Sequence, residues 1–137
     1  MTLRTSGYLL AAAMVVVGLA EACKSSTASC TGTPANLVGT YSLVSYTTGS
    51  TTVPAPPAVG ELRFYATSAY GVEITLPGPV AIADSGTYSQ CGSNGISQSS
   101  VVGNPQFRGT YTFVNDTLSV TGTAAVVAVE NVWVKHP

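Results

Sequence analysis

Tyr70-Gly71-Val72-Glu73-Ile74-Thr75-Leu76 is the stretch from which the fold is read. Apolar side chains stand at 70, 72, 74 and 76, with small or polar residues between them. That period-two alternation puts four apolar groups on one face of a strand and leaves the other face wet. Just upstream, Leu62 and Phe64 alternate with Glu61 and Arg63. Only Ala66 to Ala69 separates the two runs, a length that suits a hairpin.

The pattern continues downstream. Phe107, Gly109, Tyr111 and Phe113 alternate with Arg108, Thr110 and Thr112, and Asn115-Asp116 supplies a tight turn into Leu118 and Val120. Gly92-Ser93-Asn94-Gly95 is a further turn, with Asn-Gly expected to take the positive φ angles that match strand twist, so Gly86–Cys91 should pair with Ile96–Val101. A last Val-rich run, Ala125–Lys135, contains Trp133. No stretch after residue 36 has helical apolar spacing over three turns, and Val, Thr, Tyr and Ile outnumber the strong helix formers.

The expected strands are Val38–Thr47, Glu61–Ala66, Tyr70–Leu76, Asp84–Ser89, Ile96–Val101, Phe107–Val114, Thr117–Thr121 and Ala125–Lys135. Short sequential links make neighbours in sequence neighbours in space. The expectation is therefore an all-β domain, an antiparallel eight-stranded up-and-down barrel without exposed edges, with a two-sheet β-sandwich as the alternative. The longest link, Thr48–Gly60 with Pro54, Pro56 and Pro57, is expected to be a loop that covers one end. Gly39-Thr40-Tyr41, Gly86-Thr87-Tyr88 and Gly109-Thr110-Tyr111 repeat a triplet in which the tyrosine ring lies on apolar surface while its hydroxyl reaches water or a carbonyl.

The N-terminus has a different character. Arg4 stands in a short polar lead and is followed by an uncharged run, Tyr8–Ala20. That run is shorter than the roughly 20 residues a spanning helix needs, and it matches the core of a secretory signal. Ala20-Glu21-Ala22 places small residues where signal peptidase reads, so residues 1–22 are expected to be a signal peptide. Leu19-Ala20-Glu21-Ala22-Cys23 resembles a lipobox, with Cys23 as the lipid attachment point and membrane anchor. Ordinary cleavage before an unmodified Cys23 is the alternative. Residues 23–36 are rich in Ser and Thr and read as a flexible tether, with the domain over 37–137.

Three cysteines in an exported chain leave one unpaired. If Cys23 carries lipid, Cys30 and Cys91 remain to form one disulfide; two separate free thiols are the alternative. Charged residues make up 8% of the chain and the formal net charge is −1, so no basic face exists to neutralise phosphates and nucleic acid is not an expected partner. The 45% hydrophobic content likewise argues against disorder.

Leu37-Val38-Gly39-Thr40-Tyr41-Ser42-Leu43 resembles the opening strand of lipocalin-like proteins, with Tyr41 where their signature has tryptophan after glycine, any residue. Gly60-Glu61-Leu62-Arg63-Phe64, the later Gly-Thr-Tyr triplets, Asp116-Thr117-Leu118 and the final strand through Trp133 are similar to the small bacterial lipocalin-like lipoproteins. Gly39, Tyr41 and Trp133 are the positions that match the signature. The resemblance spans roughly 37 to 135 and implies an eight-stranded barrel with a central cavity for a small apolar molecule.

Catalytic chemistry finds little to stand on. The lone histidine, His136, is next to the terminal residue, where fraying is expected, and no nucleophile–base pair or metal-ligand set emerges, so no catalytic residue, metal or cofactor is assigned. Glu61, Glu73, Asp84, Asp116 and Glu130 read as solvated surface carboxylates, and Arg63 and Arg108 as outward side chains. The interior, and with it the candidate ligand pocket, is assigned to Leu62, Phe64, Tyr70, Val72, Ile74, Phe107, Tyr111 and Phe113. The expectation is a binding protein for a small hydrophobic molecule in the cell envelope. The alternative is a structural or protein-interaction envelope lipoprotein whose barrel is filled and holds no ligand.

Overall fold

A computed structural model describes residues 30–78 and 80–137. The signal peptide, Cys23 and the first part of the tether lie outside the described residues. Nine strands follow one another: β1 Gly39–Thr48, β2 Thr51–Pro54, β3 Val59–Phe64, β4 Ala69–Leu76, β5 Val80–Cys91, β6 Gly95–Ser100, β7 Phe107–Val114, β8 Thr117–Ala124 and β9 Val127–Lys135. All pair antiparallel with their neighbours, and β1 also pairs with β9 from Tyr41 to Thr48. That last pairing closes the ring, so the molecule is an eight-stranded barrel with one extra short strand and not a sandwich.

The extra strand corrects the expectation for Thr48–Gly60. β2 folds back on the second half of β1, with Ser45 opposite Pro54 and Thr48 opposite Thr51. After a turn in which Ala58 N–H donates to the Pro54 carbonyl at 3.1 Å, β3 continues along the first half of β1. The two short strands share one edge of β1, and the segment completes the wall instead of covering an end. Pro54, at the last position of β2, stands opposite Ser45, and the next residue still bonds β1, with Ala55 N–H donating to the Val44 carbonyl at 2.8 Å.

Side-chain parity follows the sequence pattern. Leu62 and Phe64 in β3, Tyr70 and Ile74 in β4, and Phe107 and Tyr111 in β7 are buried, while Arg63 and Arg108 face solvent. Asn115 and Asp116 both take positive φ, at 50° and 61°, as a tight hairpin turn requires. The β5–β6 turn differs from expectation: Gly92, at φ 63°, supplies the left-handed residue, and Asn94 does not.

An up-and-down barrel gathers alternate turns at each end. The base carries the turns at 65–68, 92–94 and 115–116 together with the segment that enters β1. It is packed with rings: Tyr41 meets Phe64 edge-on at 6.1 Å and Phe113 at 6.2 Å, and Phe64 meets Tyr88 at 4.6 Å. The three Gly-Thr-Tyr triplets place Tyr41, Tyr88 and Tyr111 in this layer. Their hydroxyls find backbone partners: Tyr41 donates to the Leu37 carbonyl at 2.7 Å, Tyr88 reaches the Tyr65 carbonyl at 3.4 Å, and Tyr111 accepts from Ala35 N–H at 3.0 Å.

Residues 30–36, assigned to the tether by composition, are fastened across this base. Cys30 is disulfide-bonded to Cys91 with a Cα–Cα distance of 4.7 Å. Ser93 N–H donates to the Thr31 carbonyl at 3.0 Å, and Gln90 Nε2 donates to the Ala35 carbonyl at 2.9 Å. Leu37, 1% exposed, closes the barrel like a stopper. Gly92 makes room for the crossing segment, since a Cβ there would stand 2.2 Å from the Thr31 carbonyl oxygen. At the other chain end His136 is pinned, not frayed: its N–H donates to the Thr40 carbonyl at 2.8 Å and its Nε2 lies 2.5 Å from Ser42 Oγ.

Candidate functional site

The opposite end of the barrel is built differently. Its turns are at 49–50, 77–78, 101–106 and 125–126, and none of them carries a charged residue. Strand β5 begins at Val80 and pairs with β4 from there, but β6 ends at Ser100, opposite Gly86. The edge of β5 from Val80 to Ser85 therefore lacks a full strand partner. The 101–106 loop meets its backbone through Val101 N–H to the Ser85 carbonyl at 2.8 Å and Asn104 Nδ2 to the Ala83 carbonyl at 3.1 Å.

Behind this gap lies a cavity of about 410 Å³, inside the ~300–1,000 Å³ range of small-molecule sites. Leu62 and Trp133 form its floor, being 3% and 1% exposed, and Val72, Ile74, Ile82, Val120, Ala124 and Val129 form much of its wall. These aliphatic side chains are smaller than the aromatic ones that fill the base. The barrel is thus solid in its lower half and hollow in its upper half.

Four of the expected interior residues, Leu62, Val72, Ile74 and Phe107, line the cavity. The other four, Phe64, Tyr70, Tyr111 and Phe113, belong to the packed region below it. Of the signature positions, Gly39 and Tyr41 are at the base, where the aliphatic part of Lys135 passes over Gly39, while Trp133 is the cavity floor. Gln98 and Asn131 line the cavity and were missed. Their signal was present, since each stands two residues from an interior side chain, Ile96 and Trp133.

Asp84 corrects an expectation. It is not a solvated surface group: two residues after Ile82, it points inward and lines the cavity. Tyr70 donates to its Oδ2 at 2.5 Å, and Ser100 Oγ and Ser85 N–H donate to Oδ1 at 2.6 and 2.9 Å. Burial pushes the Asp84 carboxyl up, but hydrogen bonds from Ser100, Tyr70, Asn104 and the Ser85 backbone outweigh it and hold the group below its usual range. It is an anion at neutral pH. The Tyr70 phenol is pushed up in turn, by burial first and then by the hydrogen bond to Asp84.

A second hollow, on the outer wall, is lined by Glu61, Arg63, Tyr65, Glu73, Ser85 and Val102 among others. Glu61 and Glu73 are cross-strand neighbours, and an exposed ion pair between Arg63 and Glu61 offsets their repulsion. Among the described residues, no group of three or more His, Cys, Asp or Glu side chains is placed to hold a metal ion. No protein-family model matches the chain, and no curated protein matches it.

Proposed function

We propose that the chain is an exported, lipocalin-like binding protein that carries a small, largely apolar molecule in the upper half of its barrel and is anchored in the cell envelope by lipid on Cys23. The observation that carries this reading is the cavity of about 410 Å³ with mostly apolar walls, open at one end and sealed at the other. Around the mouth, Val80, Val101, Val102, Val126 and Val127 are 46–95% exposed on three neighbouring turns. Exposed apolar side chains at a cavity entrance lower the cost of transferring an apolar molecule from its source.

The filled-barrel alternative needs an interior without space, and only the base meets that condition. Binding is favoured over catalysis because Asp84 stands without a second carboxylate, a histidine or a lysine among the cavity-lining residues. Export is supported by the leader pattern and by a Cys30–Cys91 disulfide of the kind that persists in oxidising compartments.

Native mass spectrometry of the protein purified from its own host tests each part. The expected spectrum shows a co-purified small molecule, a diacylglyceryl mass on Cys23 after loss of residues 1–22, and the two-hydrogen deficit of one disulfide. A bare, uncleaved chain would overturn export, anchoring and carriage together.

A further inference from the structure

The polar part of the cavity lining constrains the occupant's chemistry. It comprises one carboxylate, Asp84, three carboxamides, Gln98, Asn104 and Asn131, and the phenol of Tyr46, with no lysine, arginine or histidine. Among the described residues the cations are elsewhere. Lys135 lies over the rings of Tyr41 and Phe113 at the base, Arg63 pairs with Glu61 on the outer wall, and Arg108 donates to Gln106 Oε1 at 3.1 and 3.2 Å.

The lining also offers hydrogen-bond acceptors. An ionised carboxylate only accepts hydrogen bonds. Asn104 spends an N–H on the Ala83 carbonyl. Asn131 Oδ1 is buried without a hydrogen-bond partner, an uncommon and costly state for a polar atom. Its carboxamide lines the cavity, so a turn about the terminal bond of the side chain presents that oxygen to a donor inside.

We infer that the occupant is an apolar molecule ending in a hydrogen-bond donor, an amine or a hydroxyl, and not a carboxylate; this rests on the binding reading above. A fatty-acid anion would bring a second negative charge beside Asp84 in a partly desolvated enclosure with no cation to offset it. An ammonium group meets an opposite charge there. A hydroxyl gives the Asn131 oxygen the donor it lacks.

Trp133, the single tryptophan of the chain, forms the cavity floor and reports occupancy directly. The experiment titrates the purified exported chain, disulfide intact, with decylamine, 1-decanol, methyl decyl ether and decanoate, each below its micelle concentration, and follows Trp133 emission. Saturable shifts are expected for the amine and the alcohol, with decanoate at least tenfold weaker than decylamine and the ether several-fold weaker than decanol. Asp84→Asn should shrink the amine-to-decanoate ratio to below threefold, and Asn131→Val the alcohol-to-ether ratio to near one. Decanoate binding as tightly as decylamine, or the ether as tightly as decanol, would overturn the inference and leave carriage standing. Silence from all four probes would overturn both. The comparison within the unmutated protein decides the matter even if a variant folds poorly.

Discussion

Tyr70 on β4 donates its phenolic hydrogen to Asp84 on β5 at 2.5 Å, one strand over and two residues out of register, since Tyr70 stands opposite Gly86 and Asp84 opposite Val72. The contact ties the packed base to the hollow half and fixes the Asp84 carboxylate inside the cavity. Tyr70→Phe keeps the ring and removes the donor. It should cost about 1 kcal/mol in chemical denaturation, as expected for loss of one partly exposed hydrogen bond, and raise the Asp84 carboxyl pKa in a carbon-13 titration.

Acid should weaken the fold through the same group. The folded-state pKa of Asp84 is depressed, so its stabilisation is complete above the unfolded value of about 4 and fades as pH falls through the folded value. Thermal midpoints should drop below about pH 4, and Asp84→Asn should flatten that part of the profile. An unchanged profile in the variant would place the acid sensitivity elsewhere.

Alkali acts with the opposite sign on the tyrosines. Burial, with smaller contributions from Tyr88 and Asp116, pushes Tyr41 up to about 12. The folded state keeps a proton that the unfolded chain releases near 10, so this stability is present below about pH 10 and is lost as pH rises toward 12. Phenolate absorbance should show Tyr41 and Tyr70 titrating late and together with unfolding.

Cutting the staple should release the base. Reducing Cys30–Cys91, which spans 61 positions, should lower stability by about 4 kcal/mol in the chain-entropy account. Protease should then cleave between residues 31 and 36. Leu37→Ala tests the stopper by itself and should cost about 3 kcal/mol, the typical penalty for truncating a buried leucine.

Filling the hollow half should separate binding from stability. Val129→Phe adds volume to the cavity wall and should abolish decanol binding while leaving the denaturation midpoint nearly unchanged. Phe64→Ala, in the packed base, should do the reverse, costing about 3–5 kcal/mol and leaving a cavity that still binds once folded.

Much of this architecture was readable because alternation is a direct image of the pleat: Tyr70 to Leu76 and Phe107 to Phe113 present inside the faces their sequence indicates. Strand β2 was not readable, since a short run beside Pro54, Pro56 and Pro57 looks like a loop until the second half of β1 offers it an edge. The start of β5 was hidden for another reason. Val80, Ala81, Ile82 and Ala83 are all apolar and show no alternation, and the Asp84 charge argued for an outward face that parity contradicts. The hollow itself depends on how far side chains reach across a ring, and local sequence does not encode that depth. Tyr88 and Phe64 meet across the base, whereas Val129 and Ala124 leave space between themselves and Ile82.

The stapled base has a consequence for orientation. Cys30 is fixed beneath the barrel, and Cys23 precedes it by so few residues that a fully stretched chain between them reaches only roughly 25 Å. An acyl chain on Cys23 would stand the protein on the bilayer like a goblet on its foot, with the valine-rimmed lip held a molecule's height above its own leaflet. Cargo would then be traded with whatever lies across the periplasmic or extracellular space, and not with the lipid underfoot.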